Sequence, residues 1–72
     1  MERKWFYELQ KAGIALIEKS GYNIEVCLRQ DIFSDVVYET YRVNDVKFAY
    51  TKVIILVMYE SSRTYMIAEI QK

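Results

Sequence analysis

Histidine and proline are absent from this 72-residue chain, cysteine occurs once and glycine twice. Without histidine there is no imidazole to act as general base, to activate a serine or cysteine nucleophile, or to complete a Cys/His zinc site. The lone Cys27 excludes an internal disulfide, the usual staple of small secreted domains, and cannot by itself supply a structural zinc site. With no histidine to make it a thiolate, it reads as a small strand residue rather than a nucleophile. Two glycines leave no phosphate-cradling loop of the P-loop or dinucleotide type. Asp31 with Asp35, or Glu60 with Glu69, would be capable of acid/base or magnesium chemistry if they met in space. Nothing in their spacing selects them over solvated surface charges, so no catalytic residue, metal, cofactor or small-molecule ligand is expected. The chain does not read as an enzyme.

Long apolar runs are missing as well. The longest, Val53–Tyr59, falls far short of the about 20 residues of a membrane helix, and the N-terminus lacks the apolar core of a signal peptide. The expectation is a soluble cytoplasmic protein in a reducing compartment. Neither sign of charge is in excess, with ten lysines and arginines interspersed among ten aspartates and glutamates. Proteins grip phosphate backbones largely through surplus cations, so a balanced chain disfavours nucleic acid and leaves room only for a local basic patch.

What the chain does have is hydrophobicity, 53% of residues with 15% aromatic, which suffices for one small folded domain with a thin core. From 3 to 20, Trp5, Phe6, Leu9, Ala12, Leu16 and Ile17 recur at spacings of three and four, the mark of an amphipathic helix, and Ser20-Gly21 offers its stop. Gly13 on the apolar face of that helix costs about 1 kcal/mol against alanine, so a close approach of helix backbone to a sheet is expected there.

After Gly21 the period becomes two. A strand at 22–29 points Ile24, Val26 and Leu28 one way and Asn23, Glu25, Cys27 and Arg29 the other. A connection follows, with Ile32 and Phe33 tucked inward. The segment 36–43 is rich in β-branched and aromatic residues and reads as a second strand, although Ile32, Phe33, Val36, Val37 and Tyr41 would also suit the buried stripe of a second helix. Asn44-Asp45 then resembles a two-residue hairpin loop that sets Val43 opposite Val46, Tyr41 opposite Phe48, Glu39 opposite Tyr50 and Arg42 opposite Lys47. Val46, Phe48, Tyr50, Ile54, Leu56 and Met58 form an apolar line broken only by Lys52, which suggests one long bent strand over 46–60. A fourth strand at 64–70 closes a hairpin across Ser61-Ser62-Arg63. Its register pairs Met58 with Met66, Leu56 with Ala68 and Ile54 with Ile70, gathering one apolar face, whereas a shift by one would carry Glu69 onto it. The predicted fold is α+β, a helix packed on one face of a four-stranded antiparallel sheet.

In that register Val57, Tyr59, Tyr65 and Ile67 share the face the helix does not cover. An apolar patch on an uncovered face commonly marks an interaction surface, unless the loop around Ile32 and Phe33, or a second helix, folds over it. Seven tyrosines suit either a binding surface or a small sheet. The leading expectation is a noncatalytic interaction module, a homodimer or the partner of another protein, that associates through these four residues. The alternative is a nucleic-acid-binding or regulatory protein using Tyr38, Arg42 and Lys47 on a basic central hairpin.

Overall fold

The computed structural model describes residues 4–70. One helix, α1 (Lys4–Lys19), precedes four strands, β1 (Tyr22–Ile32), β2 (Val36–Asp45), β3 (Thr51–Tyr59) and β4 (Thr64–Ile70). The strands form an antiparallel meander in the order β1-β2-β3-β4, and α1 lies on one face of it, touching β1, β3 and β4. This is the predicted α+β architecture. The segment that suited either strand or helix is strand, as its valines, threonine and tyrosines favour. The expected start of the helix at Arg3 lies outside the described residues. Among the described residues no helix is long and apolar enough to cross a membrane.

The helix ends where Ser20 donates both its N–H and its Oγ–H to the Leu16 carbonyl, at 2.9 and 2.8 Å, and Gly21 takes a φ of 99°. That left-handed turn is open to glycine at little cost. It delivers the chain into β1. On the covered face Trp5, Phe6 and Ile17 of the helix meet Val37, Tyr41 and Val43 of β2 and Ile54, Leu56 and Met58 of β3. A methyl group on Gly13 would come within 2.8 Å of Leu56 Cδ2 and nearer still to Cδ1, so the glycine is what lets α1 sit this close to β3.

Three expectations fail, each for a local reason. In β1 the ladder slips between Ile24 and Val26 and again between Cys27 and Arg29. The first extra residue reverses the parity, so Ile24 lies opposite Val43 on the covered face while Val26 lies opposite Arg42 on the other. Strict alternation through 22–29 therefore does not hold.

The two-residue loop at Asn44-Asp45 and the strand expected over Val46–Tyr50 do not form. Asp45 instead ends β2 and organises a longer connection, accepting the N–H groups of Lys47 at 2.9 Å and Phe48 at 3.0 Å on its carboxylate. Its backbone closes the loop, its N–H donating to Tyr50 O and its carbonyl accepting from Ala49 N–H, both at 2.8 Å. A short acidic side chain that satisfies two amides locally outcompetes the ladder. Val43 consequently pairs with Lys52 and Arg42 with Val53, not with Val46 and Lys47.

The terminal hairpin is offset by one residue, because its loop comprises four residues, Glu60–Arg63, rather than three. Arg63 N–H donates to Glu60 O, and Arg63 itself sits at a φ of 54°. Leu56 then pairs with Ile67, Met58 with Tyr65 and Ile54 with Glu69. The charge this brings to the covered face is accommodated at the end of the sheet, where Lys52 Nζ donates to Glu69 Oε1 at 2.6 Å and to the Tyr22 hydroxyl at 3.1 Å.

Candidate interaction surface

The register decides which residues the helix leaves bare. On β2 and β3 the uncovered positions run through Tyr38, Thr40 and Arg42 and through Val53, Ile55, Val57 and Tyr59, and on β4 through Met66, Ala68 and Ile70. Val26 joins them from β1 opposite Arg42. Val57 stands at the centre, flanked by its partners Tyr38 and Met66, and these neighbours reduce its exposure to 3% although no element lies over it. Its neighbour Met66 is 50% exposed and Tyr38 more than a third, and four residues further along the strands Val26 and Ile70 are between about a third and a half exposed.

Of the four residues expected on this surface, Val57 and Tyr59 are there. Tyr65 and Ile67 are not: paired with Met58 and Leu56, they face the helix and pack against the core. Met66 and Ile70 take their place. Strand β4 reads Thr-Tyr-Met-Ile-Ala-Glu-Ile, apolar on both sides apart from Thr64 at its start and Glu69, so alternation alone cannot say which side faces in.

Ile32 and Phe33 do not tuck inward. Both are exposed, and the Phe33 ring meets Tyr38 edge-on at 5.6 Å between centroids, covering only a corner of the face. The β1–β2 connection is anchored beside it by Phe33 N–H donating to Val36 O and Glu60 N–H donating to Asp35 O, both at 2.8 Å.

The residues of the basic alternative are dispersed. Tyr38 and Arg42 share the uncovered face of β2, but Arg42 Nε is occupied by Glu25 Oε1 at 3.2 Å. Lys47 belongs to the β2–β3 connection, its Nζ 5.4 Å from the centroid of the exposed Phe48 ring. A groove of about 640 Å³ beside this connection is lined by Arg42, Tyr50, Lys52, Val53, Glu69 and Ile70. The Lys52 cation lies over the rings of Tyr22 at 5.4 Å and Tyr50 at 5.6 Å. Hydrogen bonds to Glu69 and then Tyr22 push the Lys52 ammonium above its ordinary range, and the Lys52 hydrogen bond holds Glu69 below the usual carboxylate range.

The covered side holds one feature that the sequence pattern does not show. Glu39 is 1% exposed within the apolar layer. Its carboxylate accepts from Gln10 Nε2 at 2.9 and 2.8 Å, from Gln30 Nε2 at 2.6 Å and from the Tyr41 hydroxyl. None of the ion pairs among the described residues involves it. A buried carboxylate is tolerated when neutral donors fill its lone pairs, and here they come from α1, β1 and β2 at once, tying helix to sheet. Burial, followed by the hydrogen bond and charge of Glu39, pushes the Tyr41 hydroxyl well above the usual tyrosine range. Glu39 is closed to any ligand. Its donors are scattered along the chain, so no local spacing announces the cluster.

No family model matches the chain, and no curated protein or solved structure is significantly similar to it.

Proposed function

We propose that this protein is a noncatalytic interaction module that self-associates through the uncovered face of its sheet, around Val57. The observation that supports this reading is the set of open apolar side chains on this face, Tyr38 and Met66 on either side of Val57 and Val26 and Ile70 at the sheet edges in the row of Arg42 and Val53, with no second layer over them among the described residues. A two-layer α/β unit normally keeps such a face polar, and contiguous apolar patches on small domains commonly mark protein contacts.

The test is molar mass in solution by light scattering across a range of concentrations, for the native chain and for the Tyr38→Lys/Met66→Lys variant. Both replaced side chains are open to solvent, so the variant should fold. Association that rises with concentration in the native chain and weakens in the variant is the expected result. A native chain that stays monomeric throughout, or a variant that associates as before, overturns the reading. Val57 and Ile67 are poor positions for this test, because Ile67 packs against the core and Val57 is almost wholly enclosed.

Nucleic-acid binding through Tyr38, Arg42 and Lys47 has less to rest on, since Arg42 is paired and Lys47 lies in a different element. Steep loss of oligonucleotide binding with rising salt would favour it, and absent or salt-insensitive binding would remove it.

A further inference from the structure

The two edges of the sheet differ in a way that singles out a second contact. Strand β1 is interrupted by two bulges and carries Glu25, Arg29 and Asp31 along its length. Bulges and charges are the devices by which proteins keep edge strands from pairing with other chains. Strand β4 has neither: it is regular from Thr64 to Ile70, its only charge is Glu69, and among the described residues nothing pairs along its outer side.

We infer that β4 pairs antiparallel with β4 of a second copy, joining two sheets into one of eight strands. This goes beyond the reading of the uncovered face and uses a different surface. Three features favour a second copy as the occupant. First, a two-fold axis at Ile67 overlaps the whole of Thr64–Ile70, with Ile67 on itself and Met66 beside the partner's Ala68, large against small. Second, such an axis always matches odd with odd positions, so covered faces stay with covered faces and the apolar open faces become continuous. Third, the single charge meets no like charge, because Glu69 falls opposite the partner's Tyr65, whose hydroxyl can donate to it. Pairing of β4 with β1 of another copy would propagate as a fibre, and the bulged β1 opposes it. Assembly through this edge therefore stops at two copies, and only with the face contact added does it reach four.

Directly opposed residues of an antiparallel pair lie about 4.5–5.5 Å apart at Cα, within the range a disulfide spans. The experiment is oxidation of the full chain carrying Cys27→Ser and Ile67→Cys, with Cys27→Ser/Ser62→Cys as the control at the hairpin tip. The expected result is a disulfide-linked dimer for the first and not the second, persisting when Tyr38→Lys, a change in β2 that leaves β4 intact, is added to weaken the face contact. Because Ile67 packs against the core, amide exchange of β4 in the native chain provides the second readout: its protection should rise with protein concentration. Native chains that associate by light scattering without cross-linking at position 67 and without concentration-dependent protection of β4 would overturn the edge contact and leave the face contact standing. Cross-linking at position 67 together with a face variant that associates as before would instead support the edge contact and overturn the face contact. A monomer at every concentration would remove both.

Discussion

The two faces of this sheet are built from the same strands and are similarly apolar, yet they are held in different ways. On the covered face Leu56 is enclosed by the helix backbone at Gly13, and the buried acidic residue Glu39 has donors from three elements. On the open face Val57 is enclosed only by its own neighbours in the sheet. The difference teaches that burial of a residue and coverage of a face are separate properties. A central strand position can lose its solvent contact to flanking side chains while the face as a whole remains unpartnered.

The sharpest way to test this contrast is to truncate one residue from each face. Leu56→Ala opens a cavity beneath the helix and should destabilise the fold by about 2–5 kcal/mol, as fully buried leucines do. In so small a domain that approaches the whole of its stability. Met66→Ala on the open face should shift the dilute chain by no more than about 0.5 kcal/mol. Urea unfolding of both variants checks the pair. Equal losses would mean that the open face is as tightly held as the covered one.

Next in size is Glu39→Gln. The amide keeps one acceptor oxygen but turns an NH₂ group toward the NH₂ groups of Gln10 and Gln30, leaving donors without acceptors in the core. A loss of about 1–3 kcal/mol is expected from such unsatisfied groups. An unchanged unfolding midpoint would show that the cluster contributes nothing to the attachment of α1 to the sheet.

These contrasts also mark where the sequence was legible. The helix, its end at Ser20-Gly21, the close approach at Gly13 and the limits of β4 all follow from local signals: a 3.6-residue period, a glycine at a positive φ, a glycine on an apolar face, β-branched residues between turn residues. The assignment of faces did not follow, because it depends on single-residue counts. One extra residue at Glu25 reverses β1, and one extra residue in the Glu60–Arg63 loop moves Tyr65 and Ile67 from the open face to the core. Residues apolar on both sides of a strand carry no information about which side is in. Val46, Phe48 and Tyr50 misled in the opposite sense, alternating like a strand in a segment where the Asp45 carboxylate dictates a turn.

Gly13→Ala probes the covered face more finely. Alanine improves helix propensity by about 1 kcal/mol, but its methyl group meets Leu56, and overpacking costs about 1–3 kcal/mol. Leu56 is fully enclosed and has little room to turn aside, so a net loss of about 1 kcal/mol is expected by the same balance. The decisive form of the experiment places both changes in one chain. With Leu56→Ala the obstruction is gone, and Gly13→Ala should become stabilising. A loss of the same size in both backgrounds would mean that something other than Leu56 requires the glycine.

The last contrast is a pH dependence that is flat at neutral pH and appears only in alkali, and it separates the centre of the covered face from its rim. The folded state holds the Tyr41 proton more tightly than the unfolded chain, whose tyrosines titrate near the ordinary value of 10.0. A group raised in this way contributes stability that is complete below pH about 10 and is lost as pH climbs beyond it. Lys52 is raised too, from 10.5, and its contribution fades in an overlapping alkaline window. Salt tells the two apart. Lys52 and Glu69 meet at the exposed end of the sheet, where 1 M salt, with a Debye length of about 3 Å, screens their attraction, whereas Tyr41 and Glu39 lie inside the core. The unfolding midpoint should therefore fall above pH about 10 in both low and high salt, less steeply in high salt. Tyr41→Phe should remove most of the part that salt leaves. If high salt abolishes the alkaline decline altogether, the buried cluster is not its source and the rim pair is.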